Sequence, residues 1–281
     1  MRFEKWTALG NDYVIVEADE LPWNLNAGRV RRICDPHLGV GSDGVLLLSR
    51  SDDPQFVAEL RIFNPDGSEA ELSGNGAREA ILYLRRHGWT DEDVFSIRTA
   101  AGPITPTITS ERTCSVDMGK ASTTSKDFPS GDADGKGSLT AAGRNWAFQH
   151  VSIGNPQCAI AVGDELEELD LTVIGPEIEG HELFPNRTNV SFFKVDGSRV
   201  RARIFERGVG ETLSSGTGAS GAAVAAFLRG TPSPIVVELD GGELEVEIGD
   251  DLGVRLSGWA EPICAGKLSL ELLQALSDLG S

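Results

Sequence analysis

The chain carries one phrase twice, half its own length apart, and any fold it adopts must accommodate that duplication. Residues 61–77 read RIFNPDGSEAELSGNGA and residues 203–219 read RIFERGVGETLSSGTGA. Arg61/Arg203, Ile62/Ile204, Phe63/Phe205, Glu69/Glu211, Ser73/Ser215, Gly74/Gly216, Gly76/Gly218 and Ala77/Ala219 all stand 142 positions apart. LGNDYVIV (9–16) and IGNPQCAI (153–160) set Gly10/Gly154 and Asn11/Asn155 144 positions apart. IRTAAGPITPTI (97–108) and VELDGGELEVEI (237–248) both read as strand, Gly-containing turn, strand. Three collinear matches at nearly one offset imply two copies of one domain.

At 281 residues, 40% of them hydrophobic, the chain is long enough for two domains of ordinary size with substantial cores. A formal net charge of −18 argues against a nucleic-acid surface, whose affinity comes from Lys and Arg displacing counterions. MRFEKWTALG lacks the apolar core of a signal peptide, and no stretch approaches a membrane-crossing length, so the expectation is a cytoplasmic protein with no membrane partner. Cys34, Cys114, Cys158 and Cys264 are scattered without C-x-x-C spacing, which suggests buried thiols rather than a zinc site or a disulfide framework.

Along the chain, alternation predicts strands over 2–8 and 12–18, and LNAGRVRRIC (25–34) has helical spacing ended by Asp35-Pro36. GVGSDG (39–44) matches a dinucleotide expression but precedes a strand-like run instead of opening a helix. A strand at 56–63, a helix at 77–86 and strands at 94–99 and 104–118 complete the first copy. The polar, turn-rich stretch 121–138 reads as an exposed loop or linker. The second copy follows: strands 147–153 and 158–162, an acidic helix over about 164–180, strands 188–196 and 199–206, a helix at 217–228 and a hairpin at 235–257. The tail 267–278 is amphipathic and reads as a helix. Domain boundaries are expected at 1–120 and 121–262, with 263–281 packing back on the first domain.

In each copy Ser-Gly-x-Gly-Ala opens a helix whose body is apolar on nearly every side, hence buried. The first amides of such a helix lack intrahelical partners and the glycines let a ligand approach the backbone, so each copy offers an anion hole at a helix N-terminus. Ser73 and Ser215 stand at these mouths, where serine is also simply a favoured cap. Two such sites related by a pseudo-two-fold are expected to face each other across a cleft and grip a small ligand from both sides. GTGASG (216–221) keeps a nucleotide reading alive, with Glu238 and Asp240 downstream. Against it, ETLSS before the first glycine is not a hydrophobic strand, and SGNGARE in the sister copy lacks the third glycine.

GND near the N-terminus, FNPDGSEAELSGNGAR, GNPQ, FPNRTNVSFF and ERGVGETLSSGTGA, in this order, resemble the signature segments of the diaminopimelate epimerases. The similarity spans essentially the whole chain. It implies an α+β fold of two pseudo-symmetric domains, each a mixed β-sheet wrapped around a central helix, and a homodimer is consistent with it. The implied chemistry is epimerisation of LL-diaminopimelate to the meso isomer without pyridoxal phosphate or any other cofactor: one group removes the α-proton and another returns one to the opposite face. By position, Asn11, Asn64, Asn155, Asn189, Glu206 and Arg207 are implied to bind the diamino diacid. Arg207 would pair with the distal carboxylate, and the helix mouths at Gly74-Asn75-Gly76 and Gly216-Thr217-Gly218 would hold the reacting one.

The departures from that family fall on the proton carriers. Its two catalytic cysteines are Ser73 and Ser215 here, and the histidine that partners the first cysteine is Gln157. A serine needs an adjacent base. Glu206 is a candidate for Ser215, whereas Ser73 has none evident in the sequence. Cysteine-to-serine changes engineered to trap a ligand are one explanation, although Gln157 beside them speaks for a natural sequence. The chain could instead keep the epimerase task with a different relay, through Glu206 and water. It could also act as a one-base lyase or isomerase through Glu206, or bind an amino acid without catalysis.

Overall fold

The computed structural model describes residues 1–71 and 73–279; Leu72 and residues 280–281, the end of the expected tail, lie outside them. The chain separates into two units, Met1–Val116 with Gly258–Ser281, and Asp117–Ser257. The first contains β1 (Arg2–Ala8), β2 (Asn11–Glu17), α1 (Ala27–Cys34), β3 (Val45–Arg50), β4 (Ala58–Phe63), β5 (Glu69–Ala70), α2 (Gly74–Arg86), β6 (Ile97–Thr99), β7 (Gly102–Ile104) and β8 (Thr107–Ile108). Next in the chain are β9 (Thr113–Lys120), β10 (Lys136–Ala141), β11 (Arg144–Ser152), β12 (Pro156–Ala161), α3 (Leu171–Glu179), β13 (Asn189–Asp196), β14 (Arg199–Glu206) and β15 (Gly210–Thr212). The remainder is α4 (Gly216–Phe227), β16 (Ile235–Leu239), β17 (Gly242–Ile248), β18 (Gly253–Trp259), β19 (Glu261–Lys267) and α5 (Leu270–Asp278).

The two sheets repeat each other strand for strand. The first runs β19-β1-β2-β3-β4-β6-β7 and the second β10-β11-β12-β13-β14-β16-β17, with β5 and β15 added to the edges of β4 and β14. Parallel pairs fall at the same places, β2 with β3 and β12 with β13, then β4 with β6 and β14 with β16. The repeated Arg and Glu of the phrase close equivalent ladders: Arg61 pairs with Glu69 at 2.8 Å, and Arg203 with Glu211 at 2.7 Å. Gly10 and Gly154, at φ 80° and 83°, make the same left-handed turn. β18, β9 and β8 extend the second sheet.

Each sheet wraps a helix because the strands alternate strictly. In β2 and β3, Tyr13, Ile15, Leu46 and Leu48 pack around α2, while Val14, Val16, Val45 and Leu47 form a second core with Val30, Ile33, Leu268 and Leu276 from α1, α5 and the chain before α5. α2 is buried from Asn75 to Leu84 and α4 from Gly218 to Ala226. In β12, Cys158 and Ile160 join the core under α3, while Gln157, on the opposite face, lies against Gly221 of α4.

Several expectations change. The helices of the phrase start earlier than predicted, at Gly74 and Gly216, so their glycines lie in the first turn. The run 104–118 divides among the end of β7, the two-residue β8 and the longer β9, and 164–180 into a 3₁₀ turn at Asp164–Glu168 followed by α3. The stretch 121–138 is not a free linker. Phe128 is 5% exposed, with ring centroids 5.3 Å from Phe148 and 5.6 Å from Phe184, and residues from Lys136 onward form β10. One aromatic side chain anchors a polar segment that composition alone reads as solvated. GVGSDG lies in the loop between α1 and β3, as its context suggests.

Candidate functional site

The β14–β15 ladder decides the geometry in the second unit. Its register sets Glu206 opposite Gly210, so the chain returns and delivers Ser215 beside Glu206. Ser215 caps α4: its Oγ accepts the Gly218 amide at 3.2 Å and donates to Glu206 Oε2 at 3.1 Å. Burial raises the Glu206 pKa above the usual glutamate value, against the opposing pull of the Thr212 and Ser215 hydroxyls. Gly218 is required by close approach, since a Cβ there would lie 2.7 Å from Ile204 Cδ1. Asn155 Nδ2 donates to Thr217 Oγ1 at 3.2 Å, and Gln157 Nε2 donates to Asn155 Oδ1 at 2.7 Å. Asn189 is spent on the backbone, donating to the Pro156 carbonyl at 3.0 Å and accepting the Arg207 amide at 2.9 Å. That amide bond fixes the start of the exposed Arg207 side chain, whose Nη1 donates to the Asn186 carbonyl at 3.0 Å.

In the first unit Ser73 caps α2 in the same manner, accepting the Gly76 amide at 3.1 Å. Its second partner was not foreseen: the Tyr13 hydroxyl donates to Ser73 Oγ at 3.2 Å. Arg78 donates to Asn75, Asn75 to Asn11 at 3.4 Å, and Asn11 to Asp43 at 2.8 Å, a line of side chains beside the helix mouth. Asn64 instead donates to Ser68 Oγ at 2.9 Å inside its own turn. Among the described residues the nearest atom to a Cβ on Gly74 is Arg78 Nη1 at 3.9 Å, whereas a Cβ on Gly216 would lie 3.1 Å from Leu256.

Sequence reasoning missed three residues of the first unit: Tyr13, Arg78 and Glu79. Arg78 and Glu79 are 1% and 0% exposed, and desolvation raises the Glu79 carboxyl well above its ordinary pKa. Tyr13 could have been found by carrying the 144-residue offset two positions past Asn11/Asn155, because it occupies the place of Gln157. No cysteine offers a reactive thiol near either helix mouth. Burial pushes Cys114 up to about 12 and Cys158 well above the usual thiol value. Among the described residues no group of His, Cys, Asp and Glu is placed to hold a metal ion, and no helix is long and apolar enough to cross a membrane.

The family model described as diaminopimelate epimerase matches residues 3–124 and 149–258. The chain belongs to the diaminopimelate epimerase family. It is 41% identical to diaminopimelate epimerase 2 of Nostoc sp. over 279 residues, 97% of each chain, and 39% identical to diaminopimelate epimerase of Azoarcus sp. over 96% of this chain and 99% of that one. Among solved structures it is similar to a phenazine biosynthesis protein of Bacillus anthracis, with a TM-score of 0.67 and 18% identity over 96% and 99% of the two chains. A hydroxyproline epimerase of Agrobacterium vitis also has a TM-score of 0.67, with 16% identity over 96% and 92%. These distant likenesses confirm the diaminopimelate-epimerase-like fold, a helix wrapped by a mixed sheet in each domain. An isomerase of this family with serine-capped helix mouths therefore needs an account of its proton carriers.

Proposed function

We propose that the chain epimerises LL-diaminopimelate to the meso isomer by removing and returning the α-proton through Ser73 and Ser215. The observation that carries this reading is the Ser215–Glu206 contact at a helix N-terminus. As Ser215 Oγ takes the α-proton, its own proton passes to the Glu206 carboxylate. A serine is thus given the base it needs. Negative charge spreading onto the substrate's α-carboxylate is favoured by backbone amides at a helix start such as that of α4, where the helix dipole places its positive end. Arg207 offers a planar, two-pronged donor for the distal carboxylate, and Asn11, Asn64, Asn75, Asn155 and Thr217 supply amide and hydroxyl groups for the rest of the ligand. Asn189 acts indirectly, by fixing the Arg207 backbone. A homodimer in solution belongs to the same proposal.

The test is to incubate the protein with LL-diaminopimelate in D₂O, follow the α-proton by NMR and separate the stereoisomers. Deuterium uptake with the meso isomer appearing is the expected result. Deuterium uptake without the meso isomer would instead support one-base chemistry through Glu206, a reading favoured by that carboxylate's contact with Ser215. Binding without exchange would mark a pocket that has lost its chemistry.

A further inference from the structure

The two half-sites are the same motif with the polar partner moved to the other position. Where the strand that opens the phrase ends, the second copy has Glu206 and the first has Asn64, 142 residues earlier. On the strand after the Gly-Asn turn, the first copy has Tyr13 and the second has Gln157, 144 residues later. Glu206 touches Ser215 while Asn64 turns to Ser68; Tyr13 touches Ser73 while Gln157 turns to Asn155. Each serine therefore has one proton-active partner, but of opposite kind.

A serine hydroxyl has one proton to donate and two lone pairs to accept with. Ser73 accepts from both the Gly76 amide and the Tyr13 phenol, so its own O–H is the group left for a ligand. Ser215 gives its O–H to Glu206 and accepts the Gly218 amide, so a lone pair is left. From this opposition we infer that Tyr13 is the proton relay of the first half-site, making Ser73 the donor in the direction in which Ser215 with Glu206 is the acceptor. The inference rests on the epimerase reading and deepens it.

The step balances. The α-proton goes to Ser215 Oγ as the Ser215 proton moves to Glu206, leaving the C–H electron pair on the substrate. That pair then forms a new C–H bond with the Ser73 proton. The electrons of the broken Ser73 O–H bond stay on Oγ, which takes the Tyr13 proton, and the negative charge comes to rest on the phenolate. Glu206 has gained one proton and Tyr13 has lost one; exchange with water resets both. A phenolate is a far more accessible resting place for the charge than an alkoxide, because a phenol titrates near about 10. The reverse direction uses the same groups in the opposite sense. Tyr13 acts through Ser73 and is a positioning and relay residue. Its partner glycines allow the close approach: the Gly76 position lies 3.3 Å from the ring and the Gly44 position 2.6 Å from it, measured from a Cβ added at each.

The test compares kcat and KM for LL-diaminopimelate in the wild type, Tyr13→Phe, Ser73→Cys and the double variant, with thermal melts as a control for folding. Tyr13→Phe is expected to lower kcat by about 10²- to 10⁴-fold with little change in KM, the range of general acid–base groups. In the Ser73→Cys background the same change should cost under about threefold, because a thiol releases its proton without a phenol behind it. A Tyr13→Phe enzyme that keeps its kcat, or a loss equally large in both backgrounds, would overturn the relay. If Tyr13→Phe does not fold, Tyr83→Phe leaves Tyr13 as the sole tyrosine of the two in the chain. Global fluorotyrosine labelling of that variant must then shift kcat, and an unchanged kcat refutes the relay. An absence of α-proton exchange in the wild type and in Ser73→Cys alike sinks the epimerase reading itself, whereas activity with an indifferent Tyr13 sinks only this inference.

Discussion

In the proposed reaction Glu206 is the base that lets Ser215 do the work of a thiol. Its carboxylate must be ionised to receive the Ser215 proton, and burial, opposed by the Thr212 and Ser215 hydroxyls, holds its pKa above the ordinary glutamate value. The base form is therefore lost as pH falls through that raised value, and kcat/KM should show an acid limb above the usual carboxylate range. Glu206→Gln is expected to remove the limb and cost about 10²- to 10⁴-fold in kcat, measured as a pH profile of meso-isomer formation. A profile that keeps its limb in the glutamine variant would assign the titration to another group. Ser215→Ala should abolish α-proton exchange while retaining binding, seen by calorimetry with the substrate. Glu206, Ser215 and Arg207 were each legible in the sequence as residue types at motif positions. The spending of Asn189 on the backbone was not, because a side chain's hydrogen-bond partner depends on which strand lies beside it.

The elements that matter are the two central helices, and each is held by what its glycines permit. Gly218→Ala would drive a methyl group to 2.7 Å from Ile204 Cδ1 and 2.8 Å from its Cγ2. It is expected to cost about 1–3 kcal/mol in urea unfolding and to lower kcat by displacing the Ser215 cap. α2 carries a second device, the buried Glu79. Its pKa in the folded protein is raised by desolvation above the unfolded value. Its contribution to stability is therefore fully present below the unfolded pKa and is lost as pH rises through the folded one. Glu79→Gln should leave stability near about pH 5 little changed and flatten the decline toward about pH 9, measured by urea unfolding at both ends. An identical decline in both proteins would place the alkaline loss elsewhere. The helix bodies were predicted from their apolar runs, and their starts were set three residues late at Gly74 and one residue late at Gly216. Glycine lowers helix propensity, and the serine caps together with packing against Leu46, Tyr13 and Ile204 compensate for it.

At the scale of the molecule the excess of acid is the dominant physical fact. A formal charge of −18 is distributed over a surface where much of the arginine is already paired, as in Arg98 with Asp53 and Glu59, or Arg201 with Glu167 and Asp240. Unpaired acids repel one another, which weakens the compact state at low ionic strength. The melting temperature should therefore rise as salt is raised from about 0.02 M to about 0.5 M, where the Debye length falls well below about 10 Å. A melting temperature that falls with salt would mean that the surface ion pairs outweigh the repulsion.

The sequence by itself determined the duplication, the apolar helix in each copy and the serine at each helix mouth, all from local pattern: period-two alternation, apolar runs and a phrase repeated at a fixed offset. The sheet around each helix and Glu206 as a candidate partner for Ser215 came from the resemblance to the family. Only the tertiary structure decided that Phe128 ties down the polar stretch before β10, that Glu79 is buried, and that a phenol stands behind Ser73. Tyr13 lies 60 residues from Ser73 along the chain. Nothing local to either residue encodes their contact; it arises because β2 directs its odd-numbered side chains onto the face where α2 begins.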